Sequence, residues 1–414
     1  MKRVLVIAYE YPPLGGGGVF RTLKFTKYLP HFGWKPYVLT VKNPEYRVRD
    51  PTLLKEVPQE AKIYRVFSFE HKFFHFERRL FGCRWIFIPD ANIGWLPFAM
   101  KKGKEVITRE KIDVIYATAP IFTSLLIGCL LKRETGKPLI VDFRDPWTQN
   151  VFIRYPTKFH RKIEEKMEET VLRVADYVIT ATESMKAELA NKYPFISKRC
   201  VTITNGFDPE DFRNLKRESH EEKFIITYTG GFYGLRTPEY FLTALRELID
   251  EDEELKENLE VLFVGQVGRQ GREIVRKLQL HNVVKLIPYT SHKRSIEYQV
   301  NSDVLLLVIT EAGITSFPGA VTAKLFEYLA ARRTILGLVP SEGEAAHIIK
   351  SMKAGIVSSP KNVNSIKGAI TELYQKWKNE TLTTPESDIS KYSRKMLTKK
   401  LVTVFNYVSE KGTK

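Results

Sequence analysis

The chain has 414 residues, of which 43% are hydrophobic and 12% aromatic, enough for two cores of about 150–200 residues rather than one. Lys and Arg outnumber Asp and Glu by 65 to 48, a net charge of +17, which favours an anionic partner: nucleic acid, an acidic membrane face or a phosphorylated substrate. No run of about 18 apolar residues exists to span a membrane, and Cys83, Cys129 and Cys200 are too few and too scattered for a disulfide framework or a zinc site, so the expected compartment is cytoplasmic.

In chain order, 3–8 is a short apolar strand, stopped by Glu10 and Pro12-Pro13, with no small-residue cleavage site of a signal peptide after it. The loop Gly15-Gly-Gly-Gly18 follows, then a helix from Val19 to about Phe32 and a second strand at 36–41. This is the opening βαβ of a doubly wound sheet. Further strands are expected at 62–66, 112–117, 138–142, 177–180 and 200–203, with helices between them, notably 120–135 and 158–175. In 71–88, Phe73, Phe74, Phe76, Phe81, Trp85 and Phe87 alternate with Lys72, Arg78, Arg79 and Arg84. That mixture suits an anionic membrane interface, and equally a packed insertion serving the first core.

Asn205-Gly-Phe-Asp208 breaks the pattern with turn residues, and the alternation restarts at Phe224. Helices are expected at 238–250, 270–279, 292–300, 321–331 and 343–351, and strands at 224–229, 259–264, 284–286, 303–308 and 334–339. Leu397, Leu401, Val404, Phe405 and Val408 mark one face of a last helix within 394–414. The expected division is therefore a first α/β domain over 1–205, completed by 394–414, and a second over 206–393.

The most telling stretch is Pro318-Gly-Ala-Val-Thr-Ala-Lys-Leu-Phe-Glu-Tyr-Leu-Ala330. A glycine turn opens into a helix, and Lys324 and Glu327 share one helical face near an end rich in free backbone N–H groups. Ammonium and amides suit a diphosphate, and the carboxylate suits two ribose hydroxyls. A plain amphipathic helix with a surface ion pair is the alternative. Gly230-Gly231, followed by Arg236 before Pro238, makes a second anion pocket, with Arg236 as a diphosphate clamp. Glu344, at another helix start, borders the same pocket or simply complements the helix dipole.

In the first half, Asp142-Phe-Arg-Asp-Pro-Trp147 ends a parallel strand, where α/β sheets place their sites. Asp145 is assigned to orient an acceptor hydroxyl or take its proton, and Arg144 to hold a phosphate. A structural alternative has Asp142 capping a turn and Arg144 paired with Asp145. The Gly15–Gly18 loop lacks the GxGxxG spacing, and no acidic residue ends the second strand, which argues against a dinucleotide cofactor. Asp250-Glu-Asp252 imitates a metal-binding DxD, but it sits in a solvated acidic stretch. The eight histidines show no HExxH spacing, and no GxSxG elbow is present.

Together these pieces resemble glycosyltransferase family 4, of the GT-B fold. The resemblance rests on Tyr11-Pro-Pro with Gly15–Gly18, Ile88 through Trp95, Asp142 through Trp147, Asn205 through Asp208, Tyr228 through Arg236, and Lys324 through Leu329. It implies two facing Rossmann-like domains with a cleft between them, a nucleotide-sugar donor in the second and an acceptor in the first. It also implies retention at the anomeric carbon and no metal or cofactor. The donor set is Gly230, Gly231, Arg236, Gly319, Ala320, Lys324, Leu325, Glu327 and Glu344. The acceptor set is Gly16, Gly17, Gly18, Arg21, Arg144 and Asp145, and catalysis falls to Asp145, Arg236, Lys324 and Glu327. Glu327 matches the second glutamate of the family's E-x7-E motif, while Gly319 stands where the first is expected. Arg144 and Asp145 take the place of a histidine common in relatives.

The expected partners are a nucleotide sugar and a lipid-linked or saccharide acceptor, in cell-surface polysaccharide or glycolipid synthesis. The expected location is the cytoplasm, or the inner membrane face through 71–88. Two other readings stand beside this one. A nucleotide-sugar 2-epimerase would share the fold, and a basic nucleic-acid-binding protein would share the charge, although no RNP, KH or zinc-finger pattern supports the latter.

Overall fold

The computed structural model describes residues 1–42, 44, 48–69, 87–150, 153–218, 222–232, 236–309, 320–382 and 385–411. The stretch 71–88 lies outside the described residues except for Phe87 and Ile88, and Gly319 lies outside them too. Two compact units divide the chain: Met1–Asn205 with Arg394–Lys414, and Gly206–Ser393.

The first unit is built on β1 (Lys2–Ile7), β2 (Trp34–Val41), β3 (Lys62–Val66), β4 (Val114–Thr118), β5 (Leu139–Phe143), β6 (Tyr177–Thr180) and β7 (Cys200–Thr202). Their spatial order is β3-β2-β1-β4-β5-β6-β7, every pair parallel. Helices α1 (Gly17–Tyr28), α2 (Leu96–Arg109), α3 (Phe122–Thr135), α4 (Lys158–Val174) and α5 (Glu183–Lys192) form the crossovers. β4 and β5 are buried along their whole length, as strands covered on both faces must be, which explains why they are apolar except at Thr118 and Asp142.

The second unit repeats the plan. Its strands are β8 (Phe224–Thr229), β9 (Leu259–Val264), β10 (Val284–Ile287), β11 (Val304–Val308), β12 (Thr334–Leu338) and β13 (Gly355–Ser358). Its helices are α6 (Glu239–Glu251), α7 (Glu253–Asn258), α8 (Gly268–Lys277), α9 (His292–Val300), α10 (Ala323–Ala330), α11 (Glu344–Ser351) and α12 (Val363–Lys378). The strand order β10-β9-β8-β11-β12-β13 reverses direction between β8 and β11. Such a reversal opens a crevice at the carboxyl ends of the strands, where ligands of open α/β sheets bind.

Strand β13 and helix α12 go beyond the sequence expectation. β13 has four residues beginning at a glycine, too short for a period to show. α12 does carry a helical period, burying Ile366, Ala369, Ile370, Leu373 and Tyr374. Asp252 caps α7 by accepting from the Leu255 N–H at 2.9 Å, and Asp250 pairs with Arg246, so the DxD look-alike is helix chemistry.

The last helix, α13 (Arg394–Lys411), belongs to the first unit. Leu397, Leu401, Val404, Phe405 and Val408 join Val19 and Leu23 of α1 in one core. Phe405 meets Trp34 edge to face at 5.1 Å, and the Trp34 indole N–H donates to the Asn406 side chain at 3.2 Å. Each such apolar side chain contributes about 1.5–3 kcal/mol by leaving water.

Candidate functional site

In the second unit, β8 ends at Thr229 and turns at Gly230, whose φ of 113° is a left-handed value that favours glycine. A Cβ there would lie 2.4 Å from Cε and 2.8 Å from Nζ of Lys324, so this glycine lets the lysine stem pass against the backbone. Lys324 stands in the first turn of α10, which follows β11 across the strand-order reversal. Its ammonium lies 5.2 Å from the centroid of the Tyr228 ring. Tyr228 is held by stacking on Phe232 at 4.1 Å and by donating to the Gly231 carbonyl at 2.9 Å. The Tyr328 hydroxyl accepts from the Thr229 N–H at 3.0 Å, which ties α10 to the end of β8.

Two cations and a carboxylate act on one another at this point. Burial, then the neighbouring Arg236 guanidinium, push the Lys324 ammonium down to about 7, with Glu327 opposing them. Two cations set close enough to disfavour each other's charge form a site that gains from an anion. The Thr322 hydroxyl, N-cap of α10, is buried and makes no hydrogen bond among the described residues. It adds a donor beside the free N–H groups of the first turn.

Glu327 lies one turn along α10 from Lys324, with 17% of its side chain exposed. The His292 Nε2 is 3.2 Å from its Oε1, and the Gln299 amide is 3.4 Å from its Oε2. The other ring nitrogen of His292, Nδ1, is 3.8 Å from Asp211. Sequence motifs missed both His292 and Gln299. The available signal is their seven-residue spacing, which puts them on one face of α9 two turns apart.

The structure thus gathers Gly230, Gly231, Arg236, Lys324 and Glu327 around the end of β8 and the start of α10, with Ala320 partly buried just ahead of the helix. Leu325 is a correction. Its side chain is fully buried in the core, and its N–H donates to the Thr322 carbonyl at 3.2 Å, so it has no group to offer a donor. Glu344 opens α11 after β12, a helix-start position for a carboxylate.

In the first unit, Gly16, with φ of 89°, is the N-cap of α1, and Gly17 and Gly18 begin the helix. A Cβ on Gly18 would fall 1.5 Å from the Glu10 carboxylate, so the buried Glu10 requires glycine there. Arg144 donates to the Gly18 carbonyl at 2.6 Å and to the Gly17 carbonyl at 3.3 Å. The arginine expected to hold a phosphate, or to pair with Asp145, instead clamps the glycine loop.

Arg21 is the second correction. It is 1% exposed and grips both Asp142 oxygens at 2.8 Å, with further bonds to the Ile203 and Thr204 carbonyls. A guanidinium so enclosed cannot touch an acceptor. Asp142 also accepts from Tyr116 at 2.5 Å and Thr118 at 2.9 Å. Burial alone would raise its carboxyl, but Arg21 and these donors hold it below the usual range. Asp142 is therefore a structural anchor. Asp145, beyond it, reaches solvent.

Residues 15–211 match the family described as Glycosyltransferase Family 4, and residues 210–396 match Glycosyl transferases group 1. Among curated proteins, the chain is 25% identical over 196 residues to D-inositol 3-phosphate glycosyltransferase 2 of Catenulispora acidiphila. That match spans 44% of this chain and 46% of the relative, a little under half of each. A glycosyltransferase from Rickettsia africae shares the fold with a TM-score of 0.63 at 16% identity, over 98% of both chains. A UDP-N-acetylglucosamine 2-epimerase does so with a TM-score of 0.56 at 13% identity, over 98% of this chain and 96% of its own. The fold alone therefore does not separate transfer from epimerisation. With two family matches running from residue 15 to residue 396 over two parallel Rossmann-like sheets, the chain belongs to the GT-B glycosyltransferases, a family 4 domain followed by a group 1 domain.

Proposed function

We propose that this protein is a retaining glycosyltransferase that moves a sugar from a nucleotide diphosphate to a hydroxyl of a lipid-linked or cell-surface saccharide. The observation that carries the donor half is the pairing of Arg236 with a Lys324 ammonium pushed down to about 7. As the bond between the anomeric carbon and the diphosphate lengthens, negative charge grows on the leaving oxygens. Arg236, Lys324 and the N–H groups opening α10 stabilise that charge without having to rearrange. Glu327 takes the ribose hydroxyls. Asp145 orients the acceptor hydroxyl, and Arg144 acts indirectly by fixing the glycine loop beside it.

The distribution of charge and exposed apolar groups supports an acceptor at an anionic membrane face. Residues 1–205 and 394–414 hold 41 Lys and Arg against 22 Asp and Glu, a net +19, whereas 206–393 hold 24 against 26, a net −2. Among the described residues, most of the large apolar side chains that stay exposed lie in the first unit, Phe67, Phe69, Phe159, Met396 and Tyr407 among them, with Tyr289 in the second. Phe67, Phe69 and Phe98 cluster with ring centroids 5.2–5.4 Å apart. Exposed rings on a cationic body suit an acidic lipid interface. Among the described residues, no helix is long and apolar enough to cross a membrane.

The test is a thermal-shift screen of nucleoside diphosphates and their sugars, followed by product analysis with and without a lipid-linked saccharide. A ligand at a hundred times its Kd stabilises by about 2.7 kcal/mol. Donor consumed only when acceptor is present supports transfer. Donor converted alone supports the epimerase reading, and salt-sensitive oligonucleotide binding with no diphosphate shift supports the nucleic-acid one.

A further inference from the structure

Glu327 is held from outside its own helix. α9 presents His292 in its first turn and Gln299 two turns later, and each places a nitrogen on a different oxygen of the Glu327 carboxylate, at 3.2 and 3.4 Å. A carboxylate only accepts, so the His292 Nε2 carries the proton between them. The imidazole is itself hemmed in, with 10% of its side chain exposed and Asp211 3.8 Å from its other nitrogen. Gln299 is fully buried and also reaches the Thr229 hydroxyl at 3.3 Å.

This grip opposes a competing position. Glu327 and Lys324 are three residues apart on one helical face, where a carboxylate and an ammonium attract each other. A Glu327 free to swing toward Lys324 would neutralise the cation meant for the diphosphate and leave the ribose without its acceptor. We propose that His292 is a positioning residue for donor recognition: it holds the Glu327 carboxylate away from Lys324 and toward the ribose hydroxyls. The proposal rests on the reading of Glu327 as the ribose-binding group.

The experiment measures Kd for UDP, GDP and ADP and for their 2′-deoxy counterparts in wild type, Glu327→Ala, His292→Ala, His292→Gln and the double alanine variant. Wild type should prefer one ribonucleotide over its deoxy partner by about tenfold or more, the scale of one hydrogen bond to a charged group. Glu327→Ala should erase that preference. His292→Ala should reduce it to within about threefold of the Glu327→Ala value while leaving deoxynucleotide affinity nearly unchanged. His292→Gln, which keeps a donor, should restore part of the preference, and the double variant should discriminate no less than Glu327→Ala alone. Loss of preference in Glu327→Ala with full preference in His292→Ala overturns the positioning role only. Full preference in Glu327→Ala overturns the ribose reading as well. Equal loss of ribo- and deoxynucleotide binding in both His292 variants marks a merely structural histidine and also overturns the proposal.

Discussion

The two units treat their central charges in opposite ways. In the first, Arg21 and Asp142 lie within one sheet-and-helix core, fully paired, with Tyr116, Thr118 and two carbonyls completing the network. In the second, Lys324 stands beside another cation, and the Glu327 carboxylate is engaged by His292 and Gln299. Both places sit at the carboxyl edge of a parallel sheet. A buried charge that is satisfied belongs to the architecture; one held next to its own sign is available to a ligand.

The largest effect should separate these two cases. Asp142→Ala strands the Arg21 guanidinium in the core and should cost about 3–5 kcal/mol of first-unit stability in denaturant unfolding. Nucleoside diphosphate binding by the folded fraction should hold. Loss of binding with little change in stability would reverse the assignment.

Next come Arg236→Ala and Lys324→Ala, each expected to weaken diphosphate binding by about 10–100-fold, with melting temperatures within a few degrees of wild type. Calorimetric titration measures the first quantity and thermal unfolding the second. Gly230→Ala should act in the same direction, because its new methyl group occupies the path of the Lys324 stem.

The pH dependence is smaller and has a definite sign. Free Lys324 loses its proton near pH 7, and a bound diphosphate favours the cation. Above pH 7, binding therefore takes up a proton and weakens, by at most about tenfold per pH unit. Titrations in buffers of different ionisation enthalpy read the uptake directly. Stability of the ligand-free protein moves the other way. Between about 7 and 10.5 the unfolded chain holds the extra proton at this lysine, so its contribution to stability rises with pH.

The smallest expected effect concerns the surface. Phe67→Ser with Phe69→Ser should lower binding to anionic vesicles a few-fold at low salt and leave diphosphate binding unchanged. Equal binding by wild type and the double variant would remove these rings from the interface.

Much of this was legible from the sequence, and the limits have physical causes. The alternation of apolar strands and periodic helices fixed the two α/β halves, and the spacing of Lys324 and Glu327 put them on one face. Arg21 was misassigned because its partners, Asp142 and the carbonyls of residues 203 and 204, are more than a hundred positions away. No local pattern reports such closure. His292 escaped notice for a related reason: it meets a helix thirty-five residues downstream and belongs to no metal or catalytic spacing. Leu325 sits between two site residues in sequence, but one step along a helix turns a side chain by about 100° and sends it into the core.

The return of α13 to the first unit sets an order of events during synthesis. Residues 206–393 form an unbroken segment and can close on themselves as soon as they clear the ribosome. The first unit, although begun earlier, must wait with Trp34 and its neighbours uncovered until the final helix arrives. Loss of 394–414 would thus damage the half of the protein that was translated first.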